Sequence, residues 1–367
     1  MSAVRRKTVL VAGASGVIGE AAVAHFAGEG VETIALSRRR PDLPEDLPFR
    51  HMPVDLRDKE ACAEAIAGLP EVTHLVFSAL YEKPGLVAGW RDPEQMAVNL
   101  AMLRNLVDPL AARGGLRHVS LLQGTKAYGV HIHRIPVPAK ESWPRDPHEN
   151  FYWLQEDHLR ESAARSEFGF TIFRPQIVFG DAVGVAMNIT PLLGVYAAIR
   201  REEGLPFSYP GGPDYVLEAV DAHLIARALA WAGEAPSARD ETFNITNGDV
   251  FVWRNIWPAL ADALGMERGA DEPMSLAEWL PGKAAIWERI VAKHGLRPFP
   301  LASLLGQSHH YADFCMASGV AKSPPPVLVS TIKLRQAGFA DCVDTETMFR
   351  EQLARLAAAT ILPPPRP

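Results

Sequence analysis

The first half of the chain alternates short apolar runs with segments whose apolar positions recur at helical spacing. The runs are too short for core helices and are typical of strands buried on both faces. This alternation indicates βαβ units and a parallel sheet covered on both sides, the doubly wound Rossmann class of α/β fold. The predicted strands are Thr8–Ala12, Thr33–Leu36, His74–Ser78 and His118–Leu122, with helices at Ile18–Gly28 and Lys59–Ala67.

Two helix starts carry a clear sequence signal. Asp92-Pro93 and Asp146-Pro147 each place an N-cap residue before a proline, and Gln or Glu follows three residues after the cap. We predict that the first helix continues to Leu110 and the second to Ser162.

The pattern loosens after Phe179-Gly180, where proline, tryptophan and glycine become frequent. Glu241–Thr246 is predicted as one more strand and Trp253–Leu264 as a helix. We expect a large nucleotide-binding domain with a smaller, mostly helical lobe that covers the bound nucleotide and binds the substrate. The expected boundaries are 1–184 for the Rossmann domain, 241–249 for a strand that returns to it, and 185–240 with 250–367 for the lobe.

Composition excludes several classes of protein. The 367 residues are 48% hydrophobic and carry a net charge of -6, with no basic block of the kind that binds nucleic acid. The apolar run after the basic N-terminus is too short for a signal peptide, and no stretch is long enough for a membrane span. Three scattered cysteines, Cys62, Cys315 and Cys342, fit free thiols in a reducing compartment, and no cluster has metal-ligand spacing. We expect a soluble cytoplasmic protein without a nucleic-acid or membrane partner; a homodimer is compatible with this composition.

A glycine-rich turn follows the first predicted strand and opens the first predicted helix. Its glycines are three residues apart, which suits a tight turn, close approach of backbone amides to a pyrophosphate, and close packing of helix on strand. A purely structural βα turn is the alternative. The expected nucleotide contacts in this turn are Gly13, Ser15, Gly16, Val17, Ile18 and Gly19.

The end of the second strand favours NADPH over NADH. An NAD enzyme usually has Asp or Glu there for the ribose 2′-hydroxyl, whereas this chain has Ser37, Arg38 and Arg39. The serine can donate a hydrogen bond to a 2′-phosphate, and an arginine can pair with it in a fork geometry. A solvated basic loop is the alternative. Asp55 and Leu56, after a third short strand, are expected to contact the adenine edge.

The usual catalytic pair of short-chain dehydrogenases, a tyrosine with a lysine four residues later on one helix, is absent. Ile132 follows Tyr128 at that spacing and Glu156 follows Tyr152; none of the seven tyrosines has lysine there. Either the chain is not an enzyme or its pair is assembled from separate segments.

Two further segments resemble a known family. Residues 150–157 read Asn-Phe-Tyr-Trp-Leu-Gln-Glu-Asp and are similar to the Asn-Phe-Tyr-Tyr-x-x-Glu-Asp motif of the progesterone 5β-reductase/iridoid synthase-like family. Residues 124–128 resemble that family's Gly-x-Lys-x-Tyr segment. In the family the lysine comes from this loop and the tyrosine from the later helix, so the resemblance implies Lys126 and Tyr152 as the pair. Trp153 departs from the second tyrosine of the plant members, which would alter the shape of a substrate pocket.

The resemblance also covers the glycine turn, residues 37–39, 173–180 and 243–249, and the segment 333–341, so it extends over nearly the whole chain. It implies an extended short-chain dehydrogenase/reductase related to the NAD-dependent epimerase/dehydratases. The remaining expected cofactor contacts are Ser78, Ala79, Asn99, Gln123, Pro175 and Ile177, together with Lys126 and Tyr152.

The physical chemistry of the two implied residues agrees with a catalytic role. A tyrosine phenol has a pKa of about 10, and a nearby ammonium would stabilise the phenolate and lower that pKa. The alternatives are a half-buried aromatic at Tyr152 and a surface lysine at Lys126. Five bulky residues could line an apolar pocket or belong to the core: Trp143, Trp153, Phe179, Tyr196 and Phe207.

The resemblance implies an NADPH-dependent reductase that transfers hydride to the β-carbon of an α,β-unsaturated carbonyl, with a small apolar carbonyl compound as substrate. Reduction of a ketone or aldehyde uses the same parts and stays open. An NAD-dependent epimerase or dehydratase is disfavoured by the missing tyrosine–lysine helix. A non-catalytic NADP(H)-sensing protein would need the glycine turn but neither Lys126 nor Tyr152.

Overall fold

In the computed structural model the protein is described over residues 6–83 and 88–365. The strands are β1 (Thr8–Ala12), β2 (Glu32–Leu36), β3 (Phe49–Met52), β4 (His74–Phe77), β5 (His118–Leu122), β6 (Gly169–Pro175), β7 (Ile177–Phe179), β8 (Ala219–Asp221) and β9 (Glu241–Ile245). The helices are α1 (Val17–Gly28), α2 (Lys59–Ala67), α3 (Pro93–Arg113), α4 (Phe151–Ser166), α5 (Thr190–Glu202), α6 (Ala222–Ala232), α7 (Trp253–Ala263), α8 (Leu276–Trp279), α9 (Ala284–His294), α10 (Leu301–Leu305), α11 (Ser308–Cys315), α12 (Ile332–Gln336) and α13 (Thr345–Ala358).

Seven strands form one parallel sheet in the order β3-β2-β1-β4-β5-β6-β9. Helices α2, α3 and α4 share an apolar core with one face of this sheet. Helices α1 and α6 pack on each other outside that core and cover the other face. The central strands are mostly apolar and fully buried, as expected for strands that are covered on both faces. The predicted Rossmann class is thus confirmed, and the order reverses between β1 and β4, where such sheets bind nucleotides at their carboxyl edge.

The chain divides into two compact units that differ in extent from the expected domains. The first comprises the described residues of Met1–Gln176, Ala222–Ile245 and Val329–Asp341. Helices α6 and α12, expected in the lobe, therefore belong to the unit that contains the sheet. The second comprises the described residues of Ile177–Asp221, Thr246–Leu328 and Cys342–Pro367.

The second unit is mostly helical, with β7 and β8 paired in a small parallel sheet. Its core collects α5, α7, α9 and α13 around large aromatic side chains. Phe179, Tyr196 and Phe207 are fully buried in this core, so they are packing residues rather than lining of an open pocket. Among the described residues, no helix combines the length and the apolar character needed to cross a membrane.

The two predicted helix starts have different outcomes. Asp92 caps α3, and its carboxylate accepts hydrogen bonds from the backbone N–H groups of Glu94 and Gln95. The prediction at Asp146 is wrong, because α4 begins only at Phe151 and its cap is Asn150. The Asp146 carboxylate instead accepts hydrogen bonds from two histidine side chains, which removes it from any helix end.

Candidate active site

The glycine turn lies where the carboxyl ends of β1 and β4 meet. Gly13 has a positive φ of 81°, and a Cβ there would lie 2.7 Å from the backbone nitrogen of Ala79. A Cβ on Gly19 would lie 2.1 Å from the carbonyl oxygen of Gly13. These two glycines therefore allow the turn, the chain after β4 and the start of α1 to pack closely. Beside them, Ser78 donates its hydroxyl hydrogen bond to the carbonyl oxygen of Ala12.

Gly16 is less closely packed than its two neighbouring glycines. A Cβ there would meet only the carbonyl oxygen of Gly13, at 3.3 Å. Gly16 is the N-cap of α1, and no described side chain caps this helix. Ser15, Val17 and Ile18 around it are half-buried. An uncapped helix N-terminus with an open glycine beside it fits the negatively charged pyrophosphate of a dinucleotide.

The loop after β2 carries the basic groups expected for a 2′-phosphate. Arg38 and Arg39 are exposed, and neither forms an ion pair with any residue in the described part of the chain. Arg40 differs, since its guanidinium stacks on the Phe49 ring at 4.4 Å. The Ser37 hydroxyl donates a hydrogen bond of 2.6 Å to the carbonyl oxygen of Arg39, so it shapes the loop in this structure.

Several other expected contacts are engaged by the protein itself. Asp55 binds the guanidinium of Arg57, whose hydrogen bonds are the main reason that the pKa of Asp55 falls to about 2. The Leu56 carbonyl oxygen accepts a hydrogen bond from Asn105. Asn99 is fully buried and holds the chain after β4 through hydrogen bonds with the backbone of Tyr81. Pro175 ends β6 and is buried, while Ile177 is half-buried and begins β7 in the second unit.

Lys126 and Tyr152 reach the site from different segments. Lys126 lies in a short 3₁₀ turn, Thr125–Tyr128, that follows β5, and Tyr152 is the second residue of α4. A Cβ on Gly124 would lie 3.4 Å from the Tyr152 hydroxyl oxygen, so the loop backbone passes close to that group. No residue in the described ranges hydrogen-bonds the Tyr152 hydroxyl. An unpartnered phenol beside a parallel-sheet edge is available to a ligand.

Trp90 packs against both members of the pair. The Lys126 ammonium nitrogen lies 3.7 Å from the centre of the Trp90 ring, and the Tyr152 ring meets the same indole edge-on at 5.2 Å. The indole nitrogen of Trp90 donates a 2.7 Å hydrogen bond to Glu82, whose carboxylate is also 3.9 Å from the Lys126 nitrogen. Glu82 and Trp90 were missed in the sequence because neither lies in a stretch with a periodic strand or helix pattern; the only available signal was an acid shortly after a central strand.

Burial dominates the electrostatics of both groups. It lowers the pKa of Lys126 to about 8, and the nearby Glu82 carboxylate offsets part of that effect. Burial also raises the pKa of Tyr152 well above its ordinary value, and Glu82 raises it further. The expected lowering of the phenol pKa by Lys126 is therefore absent from this structure, because the ammonium faces Trp90 and Glu82. Tyr152 is accordingly a neutral hydrogen-bond donor rather than a phenolate.

A buried network supports Tyr152 from behind. The Gln123 side chain donates a 3.1 Å hydrogen bond to the Tyr152 carbonyl oxygen and accepts one of 3.2 Å from Arg174. Arg174 also forms a buried ion pair of 3.4 Å with Glu156. The Gln123 side chain thus positions α4 on the sheet, and Glu156 of the motif holds Arg174 in this network.

Replacing Lys126 by Met is expected to stabilise the cofactor-free protein at pH 7. Lowering the pKa from 10.5 to about 8 corresponds to a cost on the order of 3 kcal/mol for the buried cation. The cation–π contact that the variant loses offsets about 1–2 kcal/mol, which leaves a gain of about 1–2 kcal/mol. Because the unfolded chain binds more protons between the folded and unfolded pKa values, stability of the unmodified protein should rise above pH 8, and the gain should shrink.

Urea unfolding midpoints at pH 7 and pH 10 would measure this difference. Lys140→Met is the matched control, since Lys140 is exposed and its replacement should leave the midpoint unchanged at both pH values. A Lys126→Met variant that unfolds earlier than the unmodified protein at pH 7 would contradict the burial argument.

Sequence comparisons identify the family of the chain. A family model described as "NAD dependent epimerase/dehydratase family" matches residues 9–246. The chain is 30% identical to an (S)-8-oxocitronellyl enol synthase of Antirrhinum majus, over 86% of this chain and 81% of the relative. It is 32% identical to a 3-oxo-Delta(4,5)-steroid 5-beta-reductase of Arabidopsis thaliana, over 78% of each chain.

Solved structures share the fold at lower identity. The UDP-glucose 4-epimerase of Thermus thermophilus, solved in complex with NAD, superposes with a TM-score of 0.65 at 21% identity, covering 96% of this chain and 99% of that one. The sheet, the glycine turn and the relatives define an oxidoreductase of the extended short-chain dehydrogenase/reductase class, which depends on a nicotinamide cofactor. Within it, this chain belongs to the NAD dependent epimerase/dehydratase family and to its progesterone 5β-reductase/iridoid synthase-like branch.

Proposed function

We propose that the protein uses NADPH to reduce the C=C bond of an α,β-unsaturated carbonyl compound. The observation that carries this proposal is that Tyr152 and Lys126, from separate segments, contact the same tryptophan: the Tyr152 ring and the Lys126 ammonium both pack on Trp90. The names of the relatives, an enol synthase and a Δ4,5-steroid 5β-reductase, support the enone as substrate class. The aromatic surroundings of Tyr152, which include Trp90 and Phe151, favour an apolar carbonyl compound.

The residues present fit a dinucleotide. Gly16 and the N-terminus of α1 would hold the pyrophosphate, and Arg38 with Arg39 would hold a 2′-phosphate. When bound, NADPH supplies a hydride at nicotinamide C4. Residues 37–40, directly after β2, include no acid that would bind the ribose 2′-hydroxyl of NADH and repel the phosphate.

The pair acts on the substrate oxygen. Tyr152 donates a hydrogen bond to the carbonyl oxygen, where negative charge develops as the β-carbon gains a hydride and the C=C π bond breaks. Lys126, charged at neutral pH, stabilises that charge electrostatically. The resulting enolate takes a proton from water at the α-carbon and yields the saturated carbonyl compound. Because the phenol keeps its proton, Tyr152 acts throughout as a donor.

Matched substrate pairs test the reaction type. NADPH absorbance should fall with an enone and with an enal, and hardly at all with the corresponding saturated ketone and aldehyde. With NADPH deuterated at nicotinamide C4, the label should appear at the β-carbon of a saturated product. Label at the carbonyl carbon, giving an allylic alcohol, would replace the proposal with ketone or aldehyde reduction. Cofactor binding without oxidation by any substrate would favour the sensing protein.

Removing both exposed arginines is expected to abolish the cofactor preference. The double variant Arg38→Ala/Arg39→Ala should lose about 1.5–3 kcal/mol of binding free energy for NADPH and little for NADH, since the lost contacts are charged hydrogen bonds to the 2′-phosphate. Titration calorimetry with each cofactor measures this. Arg40→Ala is the control, because Arg40 is already stacked on Phe49. Equal affinity of the unmodified protein for the two cofactors would contradict the proposed preference.

A further inference from the structure

We propose that Asn150, oriented by the His148–Asp146 pair, is a positioning residue that fixes Lys126 and Tyr152 relative to each other. This inference rests on the proposed function, because it deepens the account of the same pair. Lys126 and Tyr152 come from a loop and a helix that are separate in the chain. No single helix therefore sets the spacing between them, and another residue must do so.

One buried amide joins the two segments. The Asn150 side chain is 4% exposed, and its Oδ1 accepts a 3.0 Å hydrogen bond from the Tyr152 backbone N–H. Its Nδ2 donates a 3.0 Å hydrogen bond to the carbonyl oxygen of Lys126. The same side chain therefore caps the helix that carries Tyr152 and holds the backbone of the residue that carries the ammonium.

The orientation of this amide selects the tautomer of its histidine neighbour. Oδ1 of Asn150 accepts from a backbone N–H, so Nδ2 is the donor on the other side. Nδ2 lies 3.1 Å from Nε2 of His148, which must then accept. The His148 proton is accordingly on Nδ1, which donates a 2.6 Å hydrogen bond to Oδ1 of Asp146.

Asp146 holds this histidine as a hydrogen-bonded carboxylate. Its second oxygen accepts a 2.6 Å hydrogen bond from Nε2 of His133. Burial alone would raise the pKa of Asp146, but the hydrogen bonds from His148 and His133 outweigh that effect and hold the pKa below its ordinary value. Asp146 thus hydrogen-bonds His148, and His148 hydrogen-bonds Asn150. Asn150 in turn hydrogen-bonds the backbone of both Lys126 and Tyr152.

A small displacement of Lys126 relative to Tyr152 is expected to slow turnover. A reacting group displaced by about 1 Å can cost about a hundredfold in rate, even when the fold is intact. Gln123 restrains the Tyr152 backbone independently, and its side-chain hydrogen bonds go to Tyr152 and Arg174 rather than to Lys126. Loss of the Asn150 amide should therefore release the lysine loop while the tyrosine helix stays in place.

Two substitutions distinguish the capping role of Asn150 from its hydrogen bond to the Lys126 carbonyl oxygen. Asn150→Ser and Asn150→Asp both retain an oxygen that can cap α4, and both remove the amide donor to the Lys126 carbonyl. We expect kcat to fall about ten- to a hundredfold in both, with KM for NADPH changed by less than about twofold. Agreement between the two variants distinguishes loss of the donor from the negative charge that Asp introduces; a loss confined to Asn150→Asp would contradict the proposal.

Hydrogen exchange of the cofactor-free protein provides a readout independent of turnover. Amides in the loop 124–129 should exchange about tenfold faster in both Asn150 variants, while the first turns of α4 keep their protection. His148→Ala should shift exchange and kcat in the same direction. His133→Ala is the matched control: it loses an equally short hydrogen bond to Asp146 but makes no hydrogen bond to Asn150, so its kcat should match that of the unmodified protein. Because the His133 ring lies beside Gly129, exchange in this variant is compared at residues 125–127.

The outcomes are distinguishable from failure of the proposed function. If the unmodified protein does not oxidise NADPH with enones, the proposed reaction is wrong. The exchange measurement still tests whether the Asn150 hydrogen bond holds the Lys126 loop. If the unmodified protein turns over and Asn150→Ser matches it in kcat and in loop exchange, the positioning role is wrong. Equal effects of His133→Ala and His148→Ala would likewise overturn the directed chain through His148.

Discussion

Gly16→Val is expected to abolish binding of the nicotinamide cofactor while leaving the fold intact. In this structure a Cβ at Gly16 meets one backbone oxygen, that of Gly13, at 3.3 Å, and the space within 4 Å of it holds no other atom from outside its own turn. The branched side chain would occupy that space, where a pyrophosphate would approach the uncapped N-terminus of α1. We expect affinity to fall at least about a hundredfold, equivalent to about 2.7 kcal/mol. Calorimetric titration with NADPH measures the loss.

The other glycines of the helix show why Gly16 is the informative position. A side chain on Gly19 would collide with the Gly13 carbonyl and would disturb the packing of the turn itself. Gly28, at the opposite end of α1, has nothing within 4 Å of an added Cβ, so Gly28→Val is the matched control and should bind NADPH normally. Circular dichroism and a melting curve would establish that both variants fold. A folded Gly16→Val protein with unchanged affinity would place the cofactor elsewhere.

Most of the sheet could be predicted because its signals are local. The run Thr8–Ala12 is apolar after its first residue, and the structure buries all five residues. The start of α3 was equally predictable, since Asp92 caps the helix and Pro93 occupies its first position. Elements whose stability is encoded within a few neighbouring positions are those that a sequence pattern describes well.

The start of α4 could not be predicted, because the residue that looks like its cap makes a long-range hydrogen bond instead. Asp146-Pro147 matches the pattern at Asp92-Pro93, yet the Asp146 carboxylate accepts a hydrogen bond from His133, thirteen positions earlier in the chain. A hydrogen bond between residues this far apart produces no periodic pattern in the sequence. The same reason explains the domain boundaries, since the return of α6 and α12 to the first unit depends on packing rather than on local composition.

Only some residues of the candidate site could be predicted from the sequence. Motif resemblance supplied Lys126 and Tyr152, but not Trp90, whose ring contacts both and whose segment has no regular pattern. Asn99 and Gln123 were predicted as cofactor contacts; their side chains are engaged within the protein, and their cofactor role stays a prediction. Burial, which sets the pKa of both members of the pair, cannot be read from one sequence.

The largest effect on chemistry is expected from the pair itself. Tyr152→Phe keeps the ring and its contact with Trp90 but deletes the hydroxyl, and Lys126→Met keeps the stem but deletes the charge. Turnover should fall about ten- to ten-thousand-fold in each, the range for losing a hydrogen-bond donor or a charge that stabilises a developing oxyanion. A strongly activated enone should lie at the lower end, because its hydride acceptance needs less support from a donor. NADPH should still bind both variants.

Single-turnover NADPH oxidation with saturating enone is the decisive measurement, since it isolates the chemical step from product release. The double variant should be little slower than the slower single one, because the two groups act on one oxygen as a unit. Tyr128→Phe is the matched control: its hydroxyl lies in the same segment as Lys126 but donates to Asn244, so turnover should be unchanged. Because burial raises the pKa of the Tyr152 phenol, the rate should show no titration of that group from pH 6 to pH 8. If both single variants run at the unmodified rate, Tyr152 and Lys126 are bystanders, and the proposed reduction requires a different donor even though the fold and the cofactor turn would stand.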